Sequence, residues 1–162
     1  MAGTDFPVTT AIRMLRDQKI PYTPHLYPFE ERGGTAHASA SLGVDEHRVI
    51  KTLIMQTDDR TPLIVLMHGD REVSTKQLAR AIGAKRVEPC DPAMVTRVTG
   101  YMVGGVSPFG TRTRMRVYAE RTILDLPRLF INGGKRGFLV EIAPAHLIEA
   151  LSPEPVDVAI AP

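Results

Sequence analysis

Val49-Ile50-Lys51-Thr52-Leu53-Ile54-Met55, the turn Asp58-Asp59-Arg60, and Leu63-Ile64-Val65-Leu66-Met67 decide the fold. Both apolar runs are rich in β-branched residues and read as buried strands. The polar turn between them predicts an antiparallel pair. Alternation puts Lys51, Leu53 and Met55 on one face and Ile50, Thr52 and Ile54 on the other. A lysine inside such a run serves a ligand, snorkels to the rim or guards a sheet edge.

Short helices and strands interleave on either side. Thr9 caps a helix carrying Ile12, Met14 and Leu15, which Ile20-Pro21 stops. Tyr22 to Tyr27 reads as extended, and Pro24 argues for an edge position. A small helix over Ala36 to Leu42 ends at Gly43. Ser74 caps a helix ending before Gly83, and Asp91-Pro92 opens another that runs to about Val98. Arg86-Val87-Glu88 is a short strand. Leu129-Phe130-Ile131 and Phe138 to Ile142 read as paired strands, and Pro144 opens a last helix to about Leu151. The expectation is α/β: a single domain over 1–151, built on a mixed, mostly antiparallel, half-barrel-like sheet with surrounding helices. The proline-rich stretch 152–162 reads as a flexible C-terminal tail.

The totals exclude several classes. In 162 residues, 43% are hydrophobic and 23% charged, as in an ordinary soluble domain. A formal net charge of +2 does not mark a nucleic-acid binder, although a local basic patch is compatible with it. The single cysteine, Cys90, rules out an internal disulfide, and with acidic neighbours it reads as a structural thiol. The start of the chain lacks a basic segment followed by an apolar run, and no stretch is long enough to span a bilayer. A cytoplasmic protein without membrane contact is expected. The five histidines lack metal-ligand spacing, so no metal and no cofactor is expected. There is no Gly-x-Ser-x-Gly elbow.

Two glycine-rich loops carry the remaining signal. One is Gly100-Tyr101-Met102-Val103-Gly104-Gly105-Val106-Ser107-Pro108-Phe109-Gly110; the other is Asn132-Gly133-Gly134-Lys135-Arg136-Gly137. Glycine admits positive φ and lets a ligand approach main-chain N–H groups, which suits an anionic, flat ligand. Arg112, Arg114 and Arg116 alternate and would share one strand face, as a phosphate track or a solvated surface. His37 either lines the pocket or serves a surface or capping role.

Lys51-Thr52-Leu53, Gly100 to Gly110 and Gly133 to Gly137, in this order, resemble the signature of YbaK-type aminoacyl-tRNA deacylases. These are similar to the editing (insertion) domain of bacterial prolyl-tRNA synthetases, the ProRS-associated domain type. The resemblance extends from about Thr9 to Leu151. It implies trans-editing: hydrolysis of the ester of a mischarged aminoacyl-tRNA, notably Cys-tRNA(Pro) or another small amino acid on tRNA(Pro). It implies Lys51 as the essential lysine and Tyr27 as the pocket tyrosine. It places Gly104, Gly105, Ser107, Pro108 and Gly110, with Asn132, Gly133, Gly134, Lys135, Arg136 and Gly137, around the substrate. Water would be the nucleophile, with no dedicated protein base. Asn132 stands where cysteine-specific members commonly carry serine, and the Gly33 to His37 segment also departs from their pattern. The implied partner is the acceptor end of aminoacyl-tRNA, with a prolyl-tRNA synthetase as a candidate second partner. A non-catalytic module of the same fold that binds a tRNA end or a synthetase is the alternative.

Overall fold

The computed structural model describes residues 5–162; the reading of Met1 to Thr4 lies outside them. Helix α1 (Thr10–Asp17) starts where expected, its first turn capped by the Thr9 hydroxyl, which accepts from the Ile12 N–H. An edge strand β1 (Thr23–Leu26) and helix α2 (Gly34–Leu42) follow. The decisive stretch forms the antiparallel pair β2 (Val49–Thr57) and β3 (Pro62–His68), with Lys51 opposite Met67. Short β4 (Glu72–Val73), α3 (Thr75–Ile82), β5 (Val87–Pro89) and α4 (Pro92–Thr99) come next. The caps of α3 and α4 are Ser74 and Asp91, as their side-chain chemistry requires.

After the first glycine loop come β6 (Arg116–Glu120), β7 (Leu129–Lys135), β8 (Phe138–Ile142) and α5 (Pro144–Leu151). The main sheet has the order β1-β8-β7-β2-β3-β6. It is mixed: antiparallel at β1–β8, β8–β7 and β2–β3, parallel at β7–β2 and β3–β6. Strand β2 shares one edge between two neighbours. Val49 and Ile50 pair with β7, Met55 to Thr57 pair with β5, and the strands part between them.

Alternation along β2 feeds different cores. Ile50 and Ile54 join the main one with Ile12, Leu15, Ile131 and Leu147. Met55 packs with Val65, Met67 and Leu78 on the other face, and Val49 packs there with Ala38, Phe130 and Leu139. Burying each such side chain contributes about 1.5–3 kcal/mol.

The tail corrects the expectation of a loose end. Residues 154–156 form β9, which adds to the sheet beside β6, and residues 159–160 form β10 against β4. Val156 and Val158 are buried. The buried Glu120 carboxylate accepts from the N–H groups of Val158 and Ala159 at 2.7 and 3.2 Å. The Val158 carbonyl in turn accepts from Ser74 N–H, fastening the start of α3. Proline does not forbid this, because Pro155 lies in an edge strand.

Candidate functional site

Parallel register brings Lys51 beside Asn132. Val49 faces Phe130 and Ile50 faces Ile131, so the next residues along the two strands are Lys51 and Asn132. Both fall on the Val49/Phe130 face, and Asn132 pairs with Leu139 of the same cluster. The pairing of β2 with β7 ends at this point. The Lys51 ammonium donates to the Arg71 carbonyl, and two further N–H groups remain for a ligand.

The second glycine loop is the β7–β8 hairpin, with an irregularity between Asn132 and Lys135 and a turn at Arg136-Gly137. Asn132 organises it. Its Oδ1 accepts from the N–H groups of Gly134 (2.6 Å) and Lys135 (3.2 Å). Its Nδ2 donates to the Gly104 carbonyl at 3.3 Å. The two glycine loops are thereby clasped together. Gly105 lies so near the hairpin that a Cβ there would stand 2.8 Å from Arg136 N, and only glycine fits. Arg136 Nε donates to the Val103 carbonyl at 3.0 Å, a second tie.

Within the first loop only Met102, Val103 and Gly104 form the exposed tip. Gly105, Ser107 and Pro108 are buried. Ser107 Oγ accepts from Phe109 N–H, and the Tyr101 hydroxyl donates to the Phe109 carbonyl at 2.5 Å, closing the loop on itself. Gly110 abuts the Thr10 carbonyl of α1. The Thr9 hydroxyl donates to the Gly133 carbonyl at 2.5 Å, so α1 braces both loops from behind. Tyr27 N–H donates to the Gly137 carbonyl. Burial pushes the Tyr27 phenol up, against a smaller pull from the Gly137 backbone, and keeps it a neutral donor.

Tyr27, Gly104, Gly105 and Asn132 to Gly137 are thus brought together, with Lys51 beside Asn132. The arginine stripe is not. Arg112 lies over Gly100 at the end of α4, and regular strand begins only at Arg116. Arg114 and Arg116 line a cleft of about 710 Å³ elsewhere, with Asp58, Lys85 and Tyr118. No residue of the clasp lines that cleft.

Two features escaped the sequence reading, the Phe29–Arg136 contact and the His47–His68 stack, and His37 takes the second of its two expected roles. Phe29 lies beneath the Arg136 guanidinium, 5.1 Å from ring centroid to Cζ. The His37 ring nitrogens lie 2.6 Å from the Pro28 carbonyl and 3.0 Å from the Glu30 carboxylate, holding the segment that carries Phe29. Behind the β2–β3 pair, His47 stacks on His68 at 3.6 Å and pairs with Asp70. His68 is buried between the His47 carbonyl and the Thr122 hydroxyl, and burial lowers its pKa. The sequence signal for Phe29 is faint: an aromatic residue beside a loop that is otherwise charged and glycine-rich.

Cys90 is half-buried beside Asp91 and Glu88. Burial, reinforced by these acids, pushes its thiol up, which disfavours a nucleophilic thiolate. Among the described residues no group of His, Cys, Asp and Glu could hold a metal ion, and no helix is long and apolar enough to cross a membrane.

Comparison with known proteins bears on this arrangement. The aminoacyl-tRNA editing domain family matches residues 30–150, which include Lys51 and both loops. EbsC of Enterococcus faecalis, provisionally named a Cys-tRNA(Pro)/Cys-tRNA(Cys) deacylase, is 31% identical over 141 residues, 86% of each chain. A proline-tRNA ligase of Caldicellulosiruptor saccharolyticus is 28% identical over 85% of this chain, which spans only 22% of the ligase. A solved structure described as a trans-editing enzyme for prolyl tRNA synthetase, also a provisional description, shares the fold. Its TM-score is 0.82 at 19% identity, covering 96% of this chain and all of that one. With the family match spanning most of its length, and with the fold in agreement, the chain belongs to the aminoacyl-tRNA editing domain family.

Proposed function

We propose that this protein is a trans-editing deacylase that hydrolyses the ester of mischarged aminoacyl-tRNA in the cytoplasm. The substrate is Cys-tRNA(Pro) or another small amino acid on tRNA(Pro), and a prolyl-tRNA synthetase is a candidate partner. One observation carries the reading: Lys51 stands beside Asn132, which clasps both glycine loops on one face of the sheet. Family membership and the likeness to EbsC support it.

The chemistry follows from the groups present. An aminoacyl ester is already activated, so water attacks its carbonyl carbon without a strong protein base. The bond to the ribose oxygen breaks, that oxygen takes a proton, and the free amino acid leaves. Charge develops on the carbonyl oxygen, so fixed donors accelerate the step. The Gly134 and Lys135 N–H groups are committed to Asn132 and do not serve. Lys51 is the catalytic candidate, and the Gly104 N–H at the exposed tip is the second donor. Gly105 admits no side chain against the hairpin, and a site bounded by such tightly packed glycines would sort amino acids by size.

The test is release of amino acid from tRNA(Pro) carrying alanine, cysteine, serine or proline. The expected result is hydrolysis of small misattached residues with proline spared. Efficient release of proline, or no release from any member, would overturn the reading.

A further inference from the structure

We propose that Phe29 and Arg136 form a stacking platform that takes the terminal nucleobase of the acceptor end. This rests on the deacylase reading and adds the subsite that would hold the nucleoside beside the ester.

Phe29 retains 38% of its accessible surface, unusual for a phenylalanine held on several sides. Gly104 and Gly137 both lie against it: a Cβ on Gly104 would stand 3.3 Å from the ring, and one on Gly137 3.5 Å from its Cβ. His37 fixes the residues before and after it, through the Pro28 carbonyl and the Glu30 carboxylate. The ring is therefore preorganised and only partly covered, with Arg136 over it.

Arg136 completes the platform. Its Nε donates to the Val103 carbonyl, and its Nη1 lies 3.8 Å from the Glu31 carboxylate. The Nε bond orients the guanidinium, whose Cζ lies 5.1 Å from the Phe29 ring centroid. The side chain still retains 39% of its accessible surface. With Glu31 against it, Arg136 is a poor grip for a phosphate and a good surface for a neutral, flat base. Aromatic rings and arginine planes hold unpaired bases in this way.

Position favours a single nucleoside. Gly104 touches both ends of the site: its carbonyl accepts from Asn132, and its α-carbon faces the Phe29 ring. Summing those contacts through the backbone of one residue puts the platform within about 11 Å of the Asn132 amide. A ribose whose ester lies between Asn132 and Lys51 carries its base toward Phe29.

The experiment is a cycle of protein and substrate variants on the full chain. Uncharged acceptor minihelices ending in adenosine or in an abasic ribose are titrated by fluorescence anisotropy, and alanyl forms of both are used for turnover. Wild type, Phe29→Ala, Phe29→Leu and Phe29→Tyr are compared. Phe29→Ala should weaken binding and raise KM for the adenosine-ended RNA about 5- to 100-fold, the range of one aromatic–base stack, with kcat within about threefold. Phe29→Leu keeps the apolar contact without the flat ring and should lose similarly, whereas Phe29→Tyr should match wild type. On the abasic RNA, wild type should already bear the loss, and Phe29→Ala should add nothing. Equal losses on both RNAs would reduce Phe29 to a structural role, and wild-type behaviour of Phe29→Leu would remove stacking; either overturns the platform. A wild type that binds both RNAs with the expected difference yet releases no amino acid would sink the deacylase reading and leave the platform standing.

Discussion

Gly105→Ala isolates the interlock of the two glycine loops. Gly105 has no positive φ, so alanine brings no backbone strain of its own. Its Cβ would stand 2.8 Å from Arg136 N and 2.9 Å from the Lys135 carbonyl carbon. Both are main-chain atoms that cannot rotate aside. Restoring ordinary contact requires the loop to retreat by roughly half an ångström or more. The Asn132–Gly104 bond, already 3.3 Å, then breaks, and the Arg136–Val103 bond stretches. Losing these two half-exposed bonds costs about 1–2 kcal/mol, a fall in Tm of about 2–8 °C at this size. Activity should fall further, by about 100-fold, because the loops position the ester and small misplacements at a reacting centre are amplified. The assay is deacylation of alanyl-tRNA(Pro) at a temperature where both proteins are folded, beside a thermal melt. Gly83→Ala is the matched control. Gly83 ends α3 with φ +76, nothing lies within 4 Å of its Cβ, and it is remote from the loops. Alanine in that left-handed conformation costs about 1–2 kcal/mol. It should lower Tm comparably and leave turnover alone. If the two variants lose the same small amount of activity, the interlock does not hold the site and the reasoning fails.

Lys51→Ala should abolish deacylation with Tm within about 3 °C of wild type, since the side chain's one internal bond is to the Arg71 carbonyl; normal turnover by the folded variant would remove Lys51 from the mechanism. Stability should fall on acidification. Burial holds His68 below the usual histidine range, so the unfolded chain binds the proton first and stability is lost as pH drops from about 6.5 toward the folded value. As pH falls through the ordinary carboxylate range toward their lowered folded values, Glu141 and Asp70 add to the loss. Burial raises both, but His25 and Arg128 around Glu141, and His47 and Arg71 around Asp70, outweigh it and hold them low. Urea titrations at pH 7.5 and 5.5 measure the histidine part, and an equal pH dependence in His68→Gln would refute its assignment. Ending the chain at Ser152 should cost at least about 3 kcal/mol, because the burial of Val156 and Val158 is lost and Glu120 loses its two N–H donors; unchanged urea stability would contradict this.

Local chemistry was legible in the sequence where one segment alone dictates the outcome. The β-branched runs at Val49 and Leu63, the caps Thr9, Ser74 and Asp91, and the edge position of Pro24 all appear as read. Pairings between distant segments were not legible. Nothing in the chain announces that β2 and β7 run parallel with Ile50 against Ile131, the register that brings Lys51 to Asn132. The arginine stripe failed because alternation was read as strand before strand begins: Arg112 N–H donates to the Thr99 carbonyl and finishes α4 instead. The tail was misread because its partners are backbone groups supplied by β6, β4 and Glu120, which composition cannot reveal. The resemblance alone placed Asn132 around the substrate, and it did not reveal that both ends of its amide are spent on main chain.

The brace between Thr9 and Gly133 spans 124 residues of chain, and that separation orders events in time. Helix α1 can wind on its own within about a microsecond, yet its brace to Gly133 cannot form until β7 is in place. Closing so long a loop costs about 2 kcal/mol more entropy than closing a ten-residue hairpin. The glycine loops therefore gain their rear support late, after the sheet that carries them. Pulse-labelled amide exchange during refolding should find β2 and β3 protected before α1, with deacylase activity returning in step with α1. Activity that recovers ahead of α1 protection would show that the loops set without their brace. On this view the competent site is a kinetic latecomer, and a nascent chain with a finished sheet still lacks a working pocket.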